Sequence, residues 1–434
     1  MGALRSLHTN GSKGSFRMTE LLLRFAQKQK EIHEWLNTLE HQLELPLYSS
    51  VDIRDAGFKM AVVDTNLFPA GFNNLCEHGL EDSVDVMRES ILKRVSQCKT
   101  VLIIAEEHTR NAWYLENARV LQDLIQKAGF TAILATFFDE NPLCSDPGFL
   151  DMTTATGQSV RMYCVRQLSQ RIEKKELNID LILLNNDLSA GIPNILRDIK
   201  IPIYPSIQAG WHSRLKSYHF RHTSDLVKEF AQILGVDPWL FLCLDRVITG
   251  VNINENKDRE RLAKIVEDLF REIGEKYQQH GLKEKPFVFL KADNGTYGMG
   301  VMAFESPQEI LELNRKERNK LYKGKSSQVI HRYLLQEGVS TTHRVRDQIA
   351  EICVYQISNR LVGGFYRLHS EKTDRENLNS KGMEFQKICP HLEKYGHCDG
   401  RENINHFDLY RVLARIAGIA AHREIIQLEQ NGGV

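Results

Sequence analysis

Between residues 101 and 184 the chain alternates short apolar runs with stretches of helical period. Val101-Leu102-Ile103-Ile104 comes first, and an amphipathic stretch from about Trp113 to Lys127 follows. Ala132-Ile133-Leu134 and Ile179-Asp180-Leu181-Ile182-Leu183-Leu184 come after it. Runs this short are strands, and strands apolar on both faces are covered by helices on both sides. The alternation predicts a parallel sheet in an α/β unit. Ligands of such sheets collect at the carboxyl ends of the strands. Two polar clusters sit at such ends, Glu106-Glu107-His108-Thr109-Arg110-Asn111 and Asn185-Asn186-Asp187. They bring forward Arg110, Asn111 and Asn186 as candidate substrate contacts.

Around this unit the periodicity changes. Leu22, Phe25, Ile32, Trp35, Leu36 and Leu39 predict one helix from Thr19 to about Leu45. Val51 and Ile53, then Phe58, Met60 and Val62, alternate about the turn residues Asp55-Ala56-Gly57, which predicts a β-hairpin. A charged helix from about Asn256 to Tyr277 acts as a divider. Strands are expected at 287–290, 333–336, 352–357 and 361–368, and a last helix from about Phe407 to Ile426. We divide the chain into a disordered tail over 1–17, with Met18 as the working start, and a helix and hairpin over 18–97. An α/β unit over 98–250 and a third unit over 251–434 complete it.

Lysine plus arginine equals aspartate plus glutamate at 56 each, so no global basic footprint points to nucleic acid. No apolar run approaches bilayer length, and the first seventeen residues lack the apolar core of a secretory signal. Eight scattered cysteines without a CxxC pair fit a reducing cytoplasm better than a disulfide framework. Cys389, His391, His397 and Cys398 are zinc-ligand types, but the adjacency of His397 and Cys398 makes a tetrahedral site awkward. Oligomeric state is not legible.

Chemistry concentrates at Lys291. A strand ending in this lysine runs into Asp293-Asn294-Gly295-Thr296-Tyr297-Gly298-Met299-Gly300 and then strand-like Val301-Met302-Ala303-Phe304. Gly295, Gly298 and Gly300 let the backbone approach phosphate oxygens. No Gly-Lys-Ser/Thr follows, so this is not a Walker loop, and no helix follows, so it is not a dinucleotide fingerprint. Asp64 and Asn66, two apart on a strand, share a face and offer hard oxygen ligands of the kind magnesium takes. Gln336 and Glu337 end a later strand where an adenine and ribose could lie. Arg54, Arg110, Lys216 and Arg367 are candidate anion holders, a guanidinium being the natural clamp for a carboxylate.

In order, these pieces resemble the proteobacterial glutamate–cysteine ligase family of acidophile type. The likeness runs from about Tyr48 to Gln386 and rests on SVDIRDAGFKMAVVDTNLFPAGFNN, EEHTRNAWYLEN, LLNNDLSAGIP, QAGWHSRLKSYHF, FVFLKADNGTYGMGVM, LLQEGV and VGGFYRLHS. The order is also similar to eukaryotic-type glutathione synthetase. That likeness implies a circularly permuted ATP-grasp fold, mixed α/β, with the parallel-sheet substrate unit inserted. It further implies ATP and magnesium as cofactors, and the ligase resemblance implies glutamate and cysteine as substrates. Arg54 and Arg367 would hold substrate carboxylates. Asp64 and Asn66, with Asp293, would hold magnesium. Lys216 and Lys291 would meet phosphates under the Gly295–Gly300 lid, and Gln336 and Glu337 would line the adenine side. Three departures stand out: Thr296-Tyr297 breaks the glycine run, Asp64 replaces a longer glutamate, and Thr109 replaces an acid. Glutathione synthetase, another carboxylate–amine ligase and a non-catalytic ATP-binding protein are the alternative readings.

Overall fold

The computed structural model describes residues 18–107, 111–137, 148–294, 300–322, 330–389 and 406–432. Three sheets organise them. The hairpin expected near Gly57 forms from strands Tyr48–Asp55 and Met60–Asn66. Its turn needs glycine, because Gly57 has φ +78° and its N–H donates to Asp55 Oδ1 at 2.8 Å. Strand Gln348–Ile357 pairs antiparallel with Tyr48–Asp55, and Arg360–His369 and Glu384–Ile388 extend this first sheet. Met60–Asn66 is left as its free edge.

Period-two alternation gives the first sheet two unlike faces. Val51, Ile53, Ile352, Val354, Tyr366 and Leu368 point into the main apolar core. There they meet helix Phe407–Gly432, whose Leu409, Leu413, Ile416, Ala417 and Ala420 are wholly buried. The opposite face carries Ser50, Asp52, Arg54, Glu351 and Arg367.

The second sheet is antiparallel throughout, in the order Val301–Phe304, Val288–Ala292, Arg332–Glu337 and Asp245–Thr249. The expected strand–loop–strand around the glycines is therefore a true hairpin, with Lys291 opposite Val301. Helix Asn256–Gln279 shares the core behind this sheet through Leu262, Val266, Leu269 and Ile273. Strand Asp245–Thr249, which the sequence reading assigned to the α/β unit, belongs to this sheet because it pairs with Arg332–Glu337.

The third sheet is the one foreseen from the apolar runs. Ser159–Cys164, Thr131–Thr136, Thr100–Ala105, Leu181–Asn185 and Ile203–Tyr204 run parallel, with Phe149–Thr153 antiparallel at one edge. Helix Ala112–Lys127 makes the crossover between two central strands. Cys164 is disulfide-bonded, which corrects the expectation of thiols throughout. No helix among the described residues is long and apolar enough to cross a membrane.

Candidate active site

The polar face of the first sheet builds one wall. Cross-strand register sets Asp52 opposite Asp64 on one side and Cys353 on the other, and sets Glu351 opposite Arg367. Arg54 Nε donates to Glu351 Oε2 at 2.7 Å, and Arg367 Nη1 donates to Glu351 Oε1 and to Asp52 Oδ2, the latter at 3.1 Å. The other two nitrogens of Arg54 donate to the Asp374 and Glu376 carbonyls at 2.8 Å each. Burial would raise the Glu351 carboxyl, but the two guanidiniums outweigh it and hold the group ionised. Burial raises Asp52, with Glu351 and Asp64 adding to the effect against Arg367. Arg367 Nε is buried without a hydrogen-bond partner among the described residues. Asp52 and Glu351 went unread in the sequence. The visible signal was a lone acid inside the otherwise apolar stretch Ile349–Tyr355, and an acid two residues before Arg54.

The second sheet supplies the facing wall. Lys291 Nζ donates to Gln336 Oε1 at 2.7 Å and to the Val63 carbonyl at 3.1 Å. Burial chiefly, then Lys216 and Arg54, lower the Lys291 ammonium to about 8 against the pull of Asp64. Lys216 Nζ donates to Asp64 Oδ1 at 2.6 Å. Burial would raise Asp64, but Lys216, Lys291 and Arg214 together bring it down to about 2. Its side chain is still 41% exposed, so the carboxylate is both charged and reachable. Gln336 Nε2, like Arg367 Nε, has no hydrogen-bond partner among the described residues.

Of two further expected site residues, Asp293 is engaged away from the cleft, whereas Glu337 lines its small cavity with the carboxylate already paired. Asp293 accepts from Ser217 N at 2.8 Å, Ser217 Oγ at 2.7 Å and Arg332 Nε at 2.5 Å. It is wholly buried against the first turn of helix Lys216–Leu234, whose free N–H groups attract a carboxylate. Asp293 therefore aims Lys216 and is not among the residues lining the cleft. The Glu337 carboxylate pairs with Lys59 Nζ at 2.7 Å and accepts from Trp239 Nε1 at 3.1 Å and Leu244 N at 2.9 Å. Lys59, whose ammonium also lies 4.0 Å from the Trp239 ring centroid, gave no signal in the sequence.

Three cavities run together between these walls. A space of about 80 Å³ is lined by Lys216, Lys291, Gln336, Arg54 and Arg367. It shares Asp52, Asp64, Arg367 and Asn379 with one of about 170 Å³ that also takes in Asn66 and Asp187. That space shares Asn74, Asn379, Met383 and Phe385 with an open chamber of about 1240 Å³ at the end of the parallel sheet. Asn111 lines the chamber, but its Oδ1 also caps helix Ala112–Lys127 by accepting from Trp113 N and Tyr114 N. Asn186 is turned inward, its Oδ1 accepting from Leu188 N at 2.9 Å, and the neighbouring Asp187 lines the cleft instead. Gly300 has φ +65° and closes the glycine hairpin. Arg110, Gly295 and Gly298 lie outside the described residues, as do His391, His397 and Cys398.

Asp52, Asp64 and Asn66 present two carboxylates and an amide to one cavity. A few hard oxygen donors beside a place for phosphates suit magnesium, and the residues present fit that ion, Asn66 Oδ1 keeping a second lone pair beside the bond it accepts from Phe68 N at 2.9 Å. Among the described residues no group of three His, Cys, Asp or Glu forms a self-sufficient metal cage.

A mixed α/β fold of three sheets around one charged cleft is matched by the sequence profile of a ligase family over residues 23–425, which defines the class as an ATP-dependent carboxylate–amine ligase. The chain belongs to the glutamate–cysteine ligase family. A Methylobacillus flagellatus protein assigned as a γ-glutamylcysteine synthetase, solved at 1.90 Å, is similar at 34% identity and TM-score 0.84. That similarity covers 96% of this chain and all 100% of that one. A D-alanyl-alanine synthetase A from Vibrio cholerae is similar at 12% identity and TM-score 0.33, over 74% of this chain and 81% of that one. That likeness is too slight to carry an argument. A comparison with curated proteins gives no match.

Proposed function

We propose that this ligase works through a γ-glutamyl phosphate, with ATP bound between the first two sheets in a circularly permuted ATP-grasp arrangement. The observation that carries the reading is the opposition of two lysines and two arginines across one cleft, with Asp64 and Arg367 shared between adjoining cavities. Lys216 and Lys291 take the phosphates. Gln336 lies on the nucleotide side, with its free Nε2 available to an acceptor on the base. Arg54 and Arg367 hold glutamate by its α-carboxylate, and Glu351 keeps both guanidiniums in place. Cysteine enters from the open chamber, past Trp113, Met383 and Phe385, which are 64%, 36% and 40% exposed. Magnesium, held by Asp64 and Asn66 with Asp52, supplies charge neutralisation on the phosphates when bound. A cytoplasmic location suits a reaction that consumes ATP and a free thiol.

The chemistry follows from the poor leaving ability of a carboxylate oxide. The γ-carboxylate of glutamate attacks the terminal phosphorus of ATP, and ADP leaves. The amine of cysteine then attacks the acyl carbon, loses a proton, and inorganic phosphate departs with the C–O bond. Positioning and electrostatic neutralisation are the protein's share of both steps. The test replaces cysteine by hydroxylamine in the presence of ATP, magnesium and glutamate. Glutamyl hydroxamate from glutamate, and none from aspartate, is the expected result. Product only with γ-glutamylcysteine as donor would make the enzyme a glutathione synthetase, and no hydroxamate from any donor would remove the acyl-phosphate.

A further inference from the structure

Strand Met60–Asn66 is an edge strand among the described residues, so the carbonyls on its outer side find no neighbouring strand there. Its pairing is also irregular, with a register shift that leaves Val63 opposite no residue of the partner strand. Two of its carbonyls are taken by side-chain cations. Val63 O accepts from Lys291 Nζ at 3.1 Å, and Thr65 O accepts from Arg214 Nη1 at 2.7 Å. Lys291 serves the cleft as well, whereas Arg214 is only 1% exposed and lines none of the three cavities.

Arg214 is fixed from behind. Its Nε and Nη2 donate to Glu424 Oε1 and Oε2 at 2.8 and 3.1 Å. Glu424 is wholly buried on the closing helix and also meets His219 Nδ1 at 3.2 Å. A buried ion pair is a poor way to add stability, since apolar residues of similar volume do as well or better. What such a pair provides is a defined geometry. Here its free arm ends on the carbonyl of Thr65, the residue between Asp64 and Asn66.

We infer that Arg214, braced by Glu424, is a positioning residue that holds the edge strand so that the Asp64 and Asn66 oxygens converge on one magnesium ion. This rests on the metal reading given above. Lys291 is free to leave Val63 for a phosphate because Arg214 keeps the strand in place two residues further on. Asp64 and Asn66 touch the metal, and Arg214 acts only through the backbone between them.

The test uses the full chain and Mn²⁺ as probe, with free Mn²⁺ read by electron paramagnetic resonance in the presence of ADP. Arg214→Lys keeps one charge but cannot brace on Glu424 with two nitrogens and reach Thr65 together. The double variant Arg214→Met with Glu424→Gln removes both charges at once. It leaves net charge unchanged and keeps an acceptor for His219; loss of the Arg214 cation from beside Asp64 would by field alone favour a divalent ion, so a weaker metal site reports geometry. The expected result is an Mn²⁺ Kd at least tenfold weaker in the double variant and intermediate in Arg214→Lys. The urea midpoint should stay close to the parent's and KM for glutamate should be unchanged. Asp64→Asn is the companion arm. Weak Mn²⁺ binding in Asp64→Asn with parent-like binding in both Arg214 variants would overturn the inference alone. Parent-like binding in Asp64→Asn as well would overturn the metal reading and the inference with it.

Discussion

Raising the pH from about 7.5 to about 9.5 should weaken ATP binding by discharging Lys291. The ammonium is lowered from 10.5 to about 8, by burial first and by the Lys216 and Arg54 charges next, with Asp64 opposing. One unit above that value only about one-tenth of the free enzyme carries the cation. The terminal phosphate of ATP, with a second pKa of about 6, is already fully ionised and restores the charge on binding. The apparent Kd should therefore rise about tenfold per pH unit above about 8, which is about 1.4 kcal/mol per unit. Binding at about pH 9 should take up about 0.9 proton per ATP. Titration calorimetry in two buffers of different ionisation enthalpy measures that uptake. Arginine stays protonated throughout, so Lys291→Arg should lose the alkaline limb even if its affinity is lower. A Kd that is flat to about pH 9.5 with no proton uptake would refute the reasoning. Unfolding does not mimic the effect. Between about 8 and 10.5 the unfolded chain binds a proton that the folded chain lacks, so this group's share of stability rises with pH over that window.

Lys59→Met strands the buried Glu337 carboxylate, whose side chain is 0% exposed, and should cost about 3–5 kcal/mol in urea unfolding. The exposed pair Arg24–Glu20 should cost under about 1 kcal/mol when either partner is truncated. Arg367→Lys should raise KM for glutamate about tenfold or more, because a charged hydrogen bond is worth about 1.5–3 kcal/mol; steady-state kinetics with KM for ATP unchanged is the signature, and a shift in ATP alone would move Arg367 to the nucleotide. Trp113→Ala should raise KM for cysteine and leave KM for glutamate alone, and equal effects on both would place the acceptor outside the chamber.

Local pattern carried much of this. The hairpin at 48–66 was legible because alternation and Gly57 are both short-range, and it forms as strands Tyr48–Asp55 and Met60–Asn66. The strand before Lys291 was legible for the same reason. Less visible were the strand Asp245–Thr249 and the helix Lys216–Leu234, which fell among segments without a clear period.

Period two tells which face of a strand a residue takes, so Asp64 and Asn66 could be set on one side of it from the sequence alone. It does not tell which strand lies beside it. Asp52 stands next to Cys353, about three hundred positions away in the chain, only because Tyr48–Asp55 pairs with Gln348–Ile357. That pairing decides that Arg54 and Arg367 share Glu351. Packing decided the fates of two acids that looked alike on paper. Asp293 is consumed at a helix start and Glu337 by Lys59, since a buried carboxylate must be satisfied by whatever donors the fold brings to it. Asp64 pairs with Lys216 yet stays 41% exposed because its strand is an edge, with Arg214 and Lys291 on the backbone and the side chain turned to the cleft. Residue type and spacing thus determined the chemistry available to this chain, and long-range pairing determined which groups were left free to use it.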